Sequence, residues 1–224
     1  MKVRPEINLE ILFKNKSHSS FDDFYYLWRG VWDKAFKDEF NLTSRLPSDK
    51  FTSQDIIIGI SYLKHPVAMI SLRKLNLKSL IDTESTSLIF WPQEVINDLK
   101  AKHQYVYSCE NLSLDPSWRD YMNEIRLKDL MFMLVRIILL KSDETAVISC
   151  VRNFKSVQKS SYQSGALCLL ENQVHPHIPN QNVDYVLWDK FNLGPLQSTE
   201  LFDLGMHLYS LYQQQGDPNV HARL

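Results

Sequence analysis

Ser108-Cys109-Glu110-Asn111-Leu112-Ser113-Leu114-Asp115-Pro116-Ser117-Trp118-Arg119 is the stretch on which the fold turns. Its first half continues a run that begins at Tyr105, so Tyr105 to Leu114 is expected to be a strand and Asp115-Pro116 the turn that stops it. After the turn, Trp118 to Lys141 carries a helical pattern, interrupted near Asp129, whose second half is apolar enough to be buried on most sides. Ala146 to Val151 is a short, continuous apolar run of the kind found at the centre of a sheet. Asn153 to Ser164 reads as a further helix, with Asn153 as its cap and Gly165 as its end. The order is strand, turn, helix, strand, helix.

Toward the N-terminus, Asp55 to Leu63 and Val67 to Leu75 are β-prone runs around Lys64-His65-Pro66, a hairpin. Before them, Ser19 or Ser20 can cap a helix, Asp22 and Asp23 suit its first turn, and Phe21, Phe24, Tyr25, Trp28, Val31, Trp32, Ala35 and Phe36 recur at helical spacing. Residues 1–19 form a polar N-terminal arm, in which Ile7, Leu9, Ile11, Leu12 and Phe13 read either as a short strand or as a surface segment. Pro92 opens a helix running to about Lys102. Toward the C-terminus, Ala166 to Leu170 and Val183 to Phe191 have strand character on either side of a Pro-rich loop. Ser198 to Gln214 forms a last helix with Leu201, Leu204, Leu208, Leu211 and Tyr212 on one face. The expected fold is mixed α/β (α+β) with a mostly antiparallel central sheet flanked by helices, in a single domain over residues 20–224.

Composition bounds the function. With 224 residues, 44% hydrophobic and 23% charged, the chain has the make-up of a globular protein. A net charge of -1 argues against a nucleic-acid partner, which asks for a strongly basic balance. Cys109, Cys150 and Cys168 lack metal-ligand spacing, and their odd number fits reduced thiols acting as small core hydrophobes. The residues after Met1 have no hydrophobic signal core, and the most apolar run, Leu130 to Leu140, is short of the ~20 residues that span a bilayer. A soluble, cytoplasmic protein without a transmembrane segment is expected. His175 and His177 flank a proline without a third ligand, so no metal is expected.

With that order in hand, the sequence resembles the GNAT superfamily of acyltransferases, and within it the acyl-homoserine-lactone synthases and the long-chain N-acyl amino acid synthases. Phe24 to Trp32 is similar to the N-terminal helix motif of those synthases, and Pro66 to Leu75 to their hairpin, with Arg73 at the place of the family's Arg-Leu. Leu112 to Arg119 matches the superfamily strand and turn that lead into the helix at the donor's phosphate arm. Asn153, Tyr162 and Gly165 look like its last motif. The resemblance covers roughly residues 20–170 and implies an N-acyltransferase. Its donor would be an acyl-phosphopantetheine, carried by acyl carrier protein or CoA. Its acceptor would be the amino group of an amino acid or a similar amine, and no cofactor would be bound. Met122 and Glu124 stand where acetyl-CoA users carry glycines, which favours the carrier-protein branch. Ser108 and Asn111 stand where the synthases carry Glu and Arg, and Trp28 aligns with an Arg. These departures are what a non-catalytic module of the same fold, binding an acyl chain or small molecule, would also carry.

Amine attack on a thioester needs a base, an oxyanion donor and a proton for the leaving thiolate. Glu110, the only acidic residue of the strand, is the candidate base, and equally reads as a sheet-edge or ion-paired carboxylate. A strand's period of two places Ser108, Glu110, Leu112 and Leu114 on one face, and a backbone N–H near Leu112 or Leu114 can polarise the carbonyl. Tyr162 is the proton donor by resemblance, and otherwise a half-buried packing residue. Arg73, Asn111, Arg119 and Asn153 are expected near the substrates. Arg152, Lys155 and Lys159, at spacings of three and four, are expected to share a helix face where an acidic carrier protein docks. A solvated helix face is the plainer account of that run.

Overall fold

The computed structural model describes residues 7–16, 18–38, 47–118, 125–175 and 181–215. Seven strands form one sheet in the order β1-β2-β3-β4-β5-β7-β6. They are β1 (Ile7–Phe13), β2 (Ile56–Tyr62), β3 (His65–Asn76), β4 (Tyr105–Leu114), β5 (Ala146–Arg152), β6 (Leu167–Val174) and β7 (Asn182–Asp189). Every pairing is antiparallel except β4 with β5. Of the two readings of the N-terminal segment, the strand holds. Ile7, Leu9, Ile11 and Leu12 are buried, and β1 pairs with β2 along its length.

The helices are α1 (Phe21–Asp38), α2 (Asp49–Thr52), α3 (Leu80–Thr83), α4 (Gln93–Lys102), α5 (Leu127–Lys141), α6 (Val157–Gln163) and α7 (Thr199–Gln214). The apolar run of α5 is buried on nearly all sides, and it packs between one face of the sheet and α6 and α7. On the opposite face, Phe24 and Trp28 of α1 join Phe51, Ile57 and Met69, and Val95, Ile96 and Leu99 of α4 join Leu75, Val106 and Ile148. Gly59 makes the first contact possible, because a Cβ there would fall 2.1 Å from the Phe24 ring.

Three local expectations are corrected. The helix expected from Trp118 starts at Leu127: Pro116–Trp118 is a single 3₁₀ turn, and residues 119–124, including Arg119, Met122 and Glu124, lie outside the described residues. Asn153 caps no helix. Lys155 and Ser156 adopt left-handed φ of 53° and 58°, so a 3₁₀ turn, Phe154–Ser156, precedes α6. Cys168 is exposed on edge strand β6 rather than packed as a core hydrophobe. No helix among the described residues is long and apolar enough to cross a membrane.

Candidate active site

The parallel pair β4 and β5 is joined only at Tyr107↔Val147 and Ser108↔Ile148. Past that point Ser149 Oγ donates to the Cys109 carbonyl at 2.8 Å, and the strands part, each continuing with its outer neighbour alone. A wedge therefore opens at the level of Glu110.

Within the wedge β4 bulges. Its register against β3 shifts between Met69 and Ser71, and Asn111 takes a left-handed φ of 60°. The extra residue resets the alternation. Glu110 faces the α1 side with Ser108 and Ser71, whereas Leu112 and Leu114 pack into the α5 side. The expectation that Glu110, Leu112 and Leu114 share one face is thereby corrected. The Glu110 carboxylate accepts from Ser108 Oγ at 2.8 Å and lies 3.5 Å from Gln54 Nε2. Gln54, 3% exposed, had no sequence signal beyond its place before a strand.

Two cavities meet at this point, sharing Leu112, Arg152 and Val157. The larger, about 660 Å³, is walled by α1 and the start of α5, with Leu112, Leu114 and Val31 as its apolar wall. Five cationic side chains, Lys34, Arg126, Lys128, Arg152 and Lys155, line it against two acidic ones, Asp38 and Asp115. Lys128 donates to the Lys155 carbonyl at 2.5 Å and reaches that of Ser156 at 3.4 Å, and burial lowers its pKa. Arg126 pairs with Asp129 at 2.7 Å. The second cavity, about 480 Å³, is walled by aromatic rings, among them Trp32, Phe36, Phe90, Trp91 and Tyr185. Its acidic and basic side chains are Glu110, Lys50, Arg152 and His175. Tyr185 donates to the Phe90 carbonyl at 2.9 Å and meets Trp91 edge to face, which fixes the 86–91 segment as the chamber's wall.

The structure thus brings together Glu110, Asn111, Leu112, Leu114, Arg152 and Lys155. Arg73 lies across from Ser108 on Glu110's side of the sheet but lines neither cavity. Asn153 donates its N–H to the Asn182 carbonyl at 2.9 Å and lines neither. The Tyr162 hydroxyl donates to Asp184 at 2.5 Å, and burial and that bond raise its pKa. Tyr162 also lines neither cavity. Arg152, Lys155 and Lys159 do not share a helix face: Arg152 ends β5, Lys155 sits in the 3₁₀ turn, and only Lys159, exposed, belongs to α6. The cations Lys34, Arg126 and Lys128 of the larger cavity and Lys50 of the second were missed. The signal for Lys34 was its place on α1 one turn after Gly30, which lines the same cavity.

The mostly antiparallel seven-stranded sheet flanked by helices is a GNAT-like fold, shared with solved N-acetyltransferases. The N-acyl amino acid synthase FeeM, from uncultured soil microbes, superposes with a TM-score of 0.54 at 13% identity, over 83% of this chain and 91% of that one. The CoA-dependent acyl-homoserine lactone synthase BjaI, solved with SAM and isopentyl-CoA, gives 0.57 at 12% identity, over 90% and 88%. The Drosophila melanogaster polyamine N-acetyltransferase gives 0.57 at 9% identity, over 82% and 100%. No family model matches the sequence, and no curated protein matches it.

Proposed function

We propose that this protein is an N-acyltransferase that moves an acyl chain from a phosphopantetheine thioester to a primary amine. The observation that carries the proposal is the wedge between β4 and β5, where a cationic cavity and an aromatic chamber meet beside the Glu110 carboxylate. The cationic cavity suits the donor, whose phosphates seek several positive side chains and whose arm is less polar. The aromatic chamber suits the acceptor. A polyamine would ask for several carboxylates, whereas the chamber pairs one, Glu110, with Lys50, Arg152 and His175. That set fits an amine that also carries an anionic group, as an amino acid does.

In the proposed reaction Glu110 takes a proton from the acceptor ammonium, directly or through one water, and the free amine attacks the thioester carbon. A C–N bond forms, and the negative charge moves to the carbonyl oxygen. A backbone N–H of Leu112 or Leu114 beside the bulge stabilises it. Collapse breaks the C–S bond, the thiolate takes a proton, and the second proton shed by the new amide nitrogen passes through solvent to restore the group that supplied it. Tyr162 is the proposed proton source, in which case its hydroxyl must turn from Asp184 during turnover. A long acyl chain carried by an acyl carrier protein is the proposed donor, docked at Arg152, Lys155 and Lys159. The free thiols fit a reducing, cytoplasmic setting.

The test is mass spectrometry of lipid extracts from cells expressing the protein, beside cells expressing Glu110→Gln and Tyr162→Phe. New N-acyl amino acids with the parent chain alone support the proposal and identify both substrates. Product undiminished in Tyr162→Phe returns Tyr162 to a packing role. No product from the parent, with acyl-CoA still bound by the pure protein, supports the reading as a non-catalytic binding module.

A further inference from the structure

Two tryptophans one turn apart on α1 reach the bulge of β4. Trp28 Nε1 donates to Asn111 Oδ1 at 3.2 Å, and Trp32 Nε1 donates to Ser113 Oγ at 3.1 Å. Ser113 Oγ passes the contact on, donating to the Asn111 carbonyl at 3.0 Å. From its other side the Asn111 amide donates to Ser71 Oγ at 3.0 Å and toward the Lys50 carbonyl at 3.4 Å. Ser71 Oγ in turn donates to the Glu110 carbonyl at 3.1 Å.

The left-handed backbone at Asn111 is costly for any residue but glycine, and Asn enters it most readily because its short amide can hydrogen-bond nearby. Here both ends of that amide are held. Residues four apart on a helix lie on one face, which lets Trp28 and Trp32 address successive parts of the bulge. Trp28 is fully buried among Phe24, Phe51 and Met69, where an indole N–H without an acceptor is expensive. Asn111 supplies that acceptor.

We propose that Trp28 and Trp32 are positioning residues whose indole N–H groups hold the Asn111 bulge, and with it the N–H groups that polarise the thioester carbonyl. The proposal rests on the acyltransferase reading for its catalytic consequence, but not for the clamp itself. The helix that clamps the bulge also walls both cavities, through Val31 and Lys34 in one and Trp32 and Phe36 in the other. Occupation of the donor cavity therefore bears on the element that shapes the reacting centre.

The test uses Trp28→Phe and Trp32→Phe, which keep most of the packing and remove one hydrogen bond each, and Ser113→Ala, which removes both bonds of its hydroxyl. Amide hydrogen exchange at Asn111, Leu112 and Ser113 is expected to accelerate about tenfold or more in each, with exchange in α5 unchanged. Ser113→Ala combined with Trp32→Phe is expected to be no worse than Ser113→Ala alone, which already breaks that chain of contacts at both of its bonds. With decanoyl-CoA and the amino acid identified by the lipid extracts, kcat is expected to fall about tenfold while KM for the thioester stays within twofold. Unchanged exchange at residues 111–113 would overturn the clamp. Faster exchange with unaltered kcat would overturn its catalytic consequence. A parent protein that turns over no substrate would sink the acyltransferase reading, and the exchange measurement would still decide the clamp.

Discussion

Glu110, partly buried, and His103, buried, lead to different expectations. Glu110 keeps its carboxylate oriented by Ser108 and stands where the cavities meet. Glu110→Gln preserves the shape and the bond from Ser108 but accepts no proton, so kcat is expected to fall ~10²-fold or more with thermal stability nearly unchanged. Steady-state kinetics beside a melting curve check this. His103, buried with its Nδ1 2.9 Å from Thr145 Oγ1, has its pKa lowered, chiefly by burial. A lowered value means that the unfolded chain binds the proton more readily than the folded one. Its stabilising contribution is therefore complete above the ordinary His value of about 6.5 and is lost as pH falls from there toward the folded value. Urea unfolding between pH 7.5 and 5 is expected to show stability declining by at most about 1.4 kcal/mol per pH unit from this group. His103→Gln should flatten that decline, and an unaltered slope would assign it elsewhere.

Among the elements, α5 carries a clasp at Arg136. Arg136 Nη1 donates to the carbonyls of Ser164 at 3.1 Å and Gly194 at 3.0 Å, tying the end of α6 and the approach to α7 onto the central helix. Gly165 lies against it with φ of 88°, and a Cβ there would fall 2.1 Å from Arg136 Nη1 and 2.7 Å from the Gly194 carbonyl. Gly165→Ala adds backbone strain of ~1–3 kcal/mol and displaces the clasp, so a loss of several degrees in melting temperature is expected by calorimetry. A melting temperature within a degree of the parent's would remove the clasp from the account. How far such elements were legible in sequence depended on whether their cause was local. Strand β4 and helix α1 were readable because their side-chain periods declare them, and the last helix begins where it was read, with Ser198 capping α7 by accepting from the Leu201 N–H. The start of α6 was not, because Lys155 and Ser156 take left-handed backbones that no local preference of Lys or Ser predicts, and their carbonyls face the Lys128 ammonium. The face of Leu112 was misread for a similar reason. A period of two holds only without a bulge, and Asn111 is fixed by partners as distant in sequence as Trp28. Glu110 drew attention because an acid inside an apolar strand stands out, whereas Gln54 reaches Glu110, and Lys128 the larger cavity, only through tertiary contact.

For the molecule as a whole, charge is distributed rather than abundant. A net charge of -1 hides a cavity lined by five cationic side chains and two acidic ones, the one proposed for the donor. Affinity for an acyl-CoA should therefore fall as salt rises from 50 to 500 mM on the scale of Debye screening, while an acyl-pantetheine lacking phosphates should bind more weakly and with little salt dependence. Equilibrium binding of decanoyl-CoA and decanoyl-pantetheine measures both, and equal salt dependence would remove the phosphates from that cavity. The same division of the sheet that makes the wedge also bears on how the chain assembles. Strands β1 to β4 lie side by side in the order in which they occur, whereas β5, β7 and β6 form a second group joined to the first by two residue pairs. The first group can zip up neighbour by neighbour, and the second must wait for β7, because β5 has no other partner beyond those two rungs. The gap proposed for the chemistry is thus also a seam between an early and a late folding unit, and the buried helix α5, encoded between them, is the piece that arrives in time to join both.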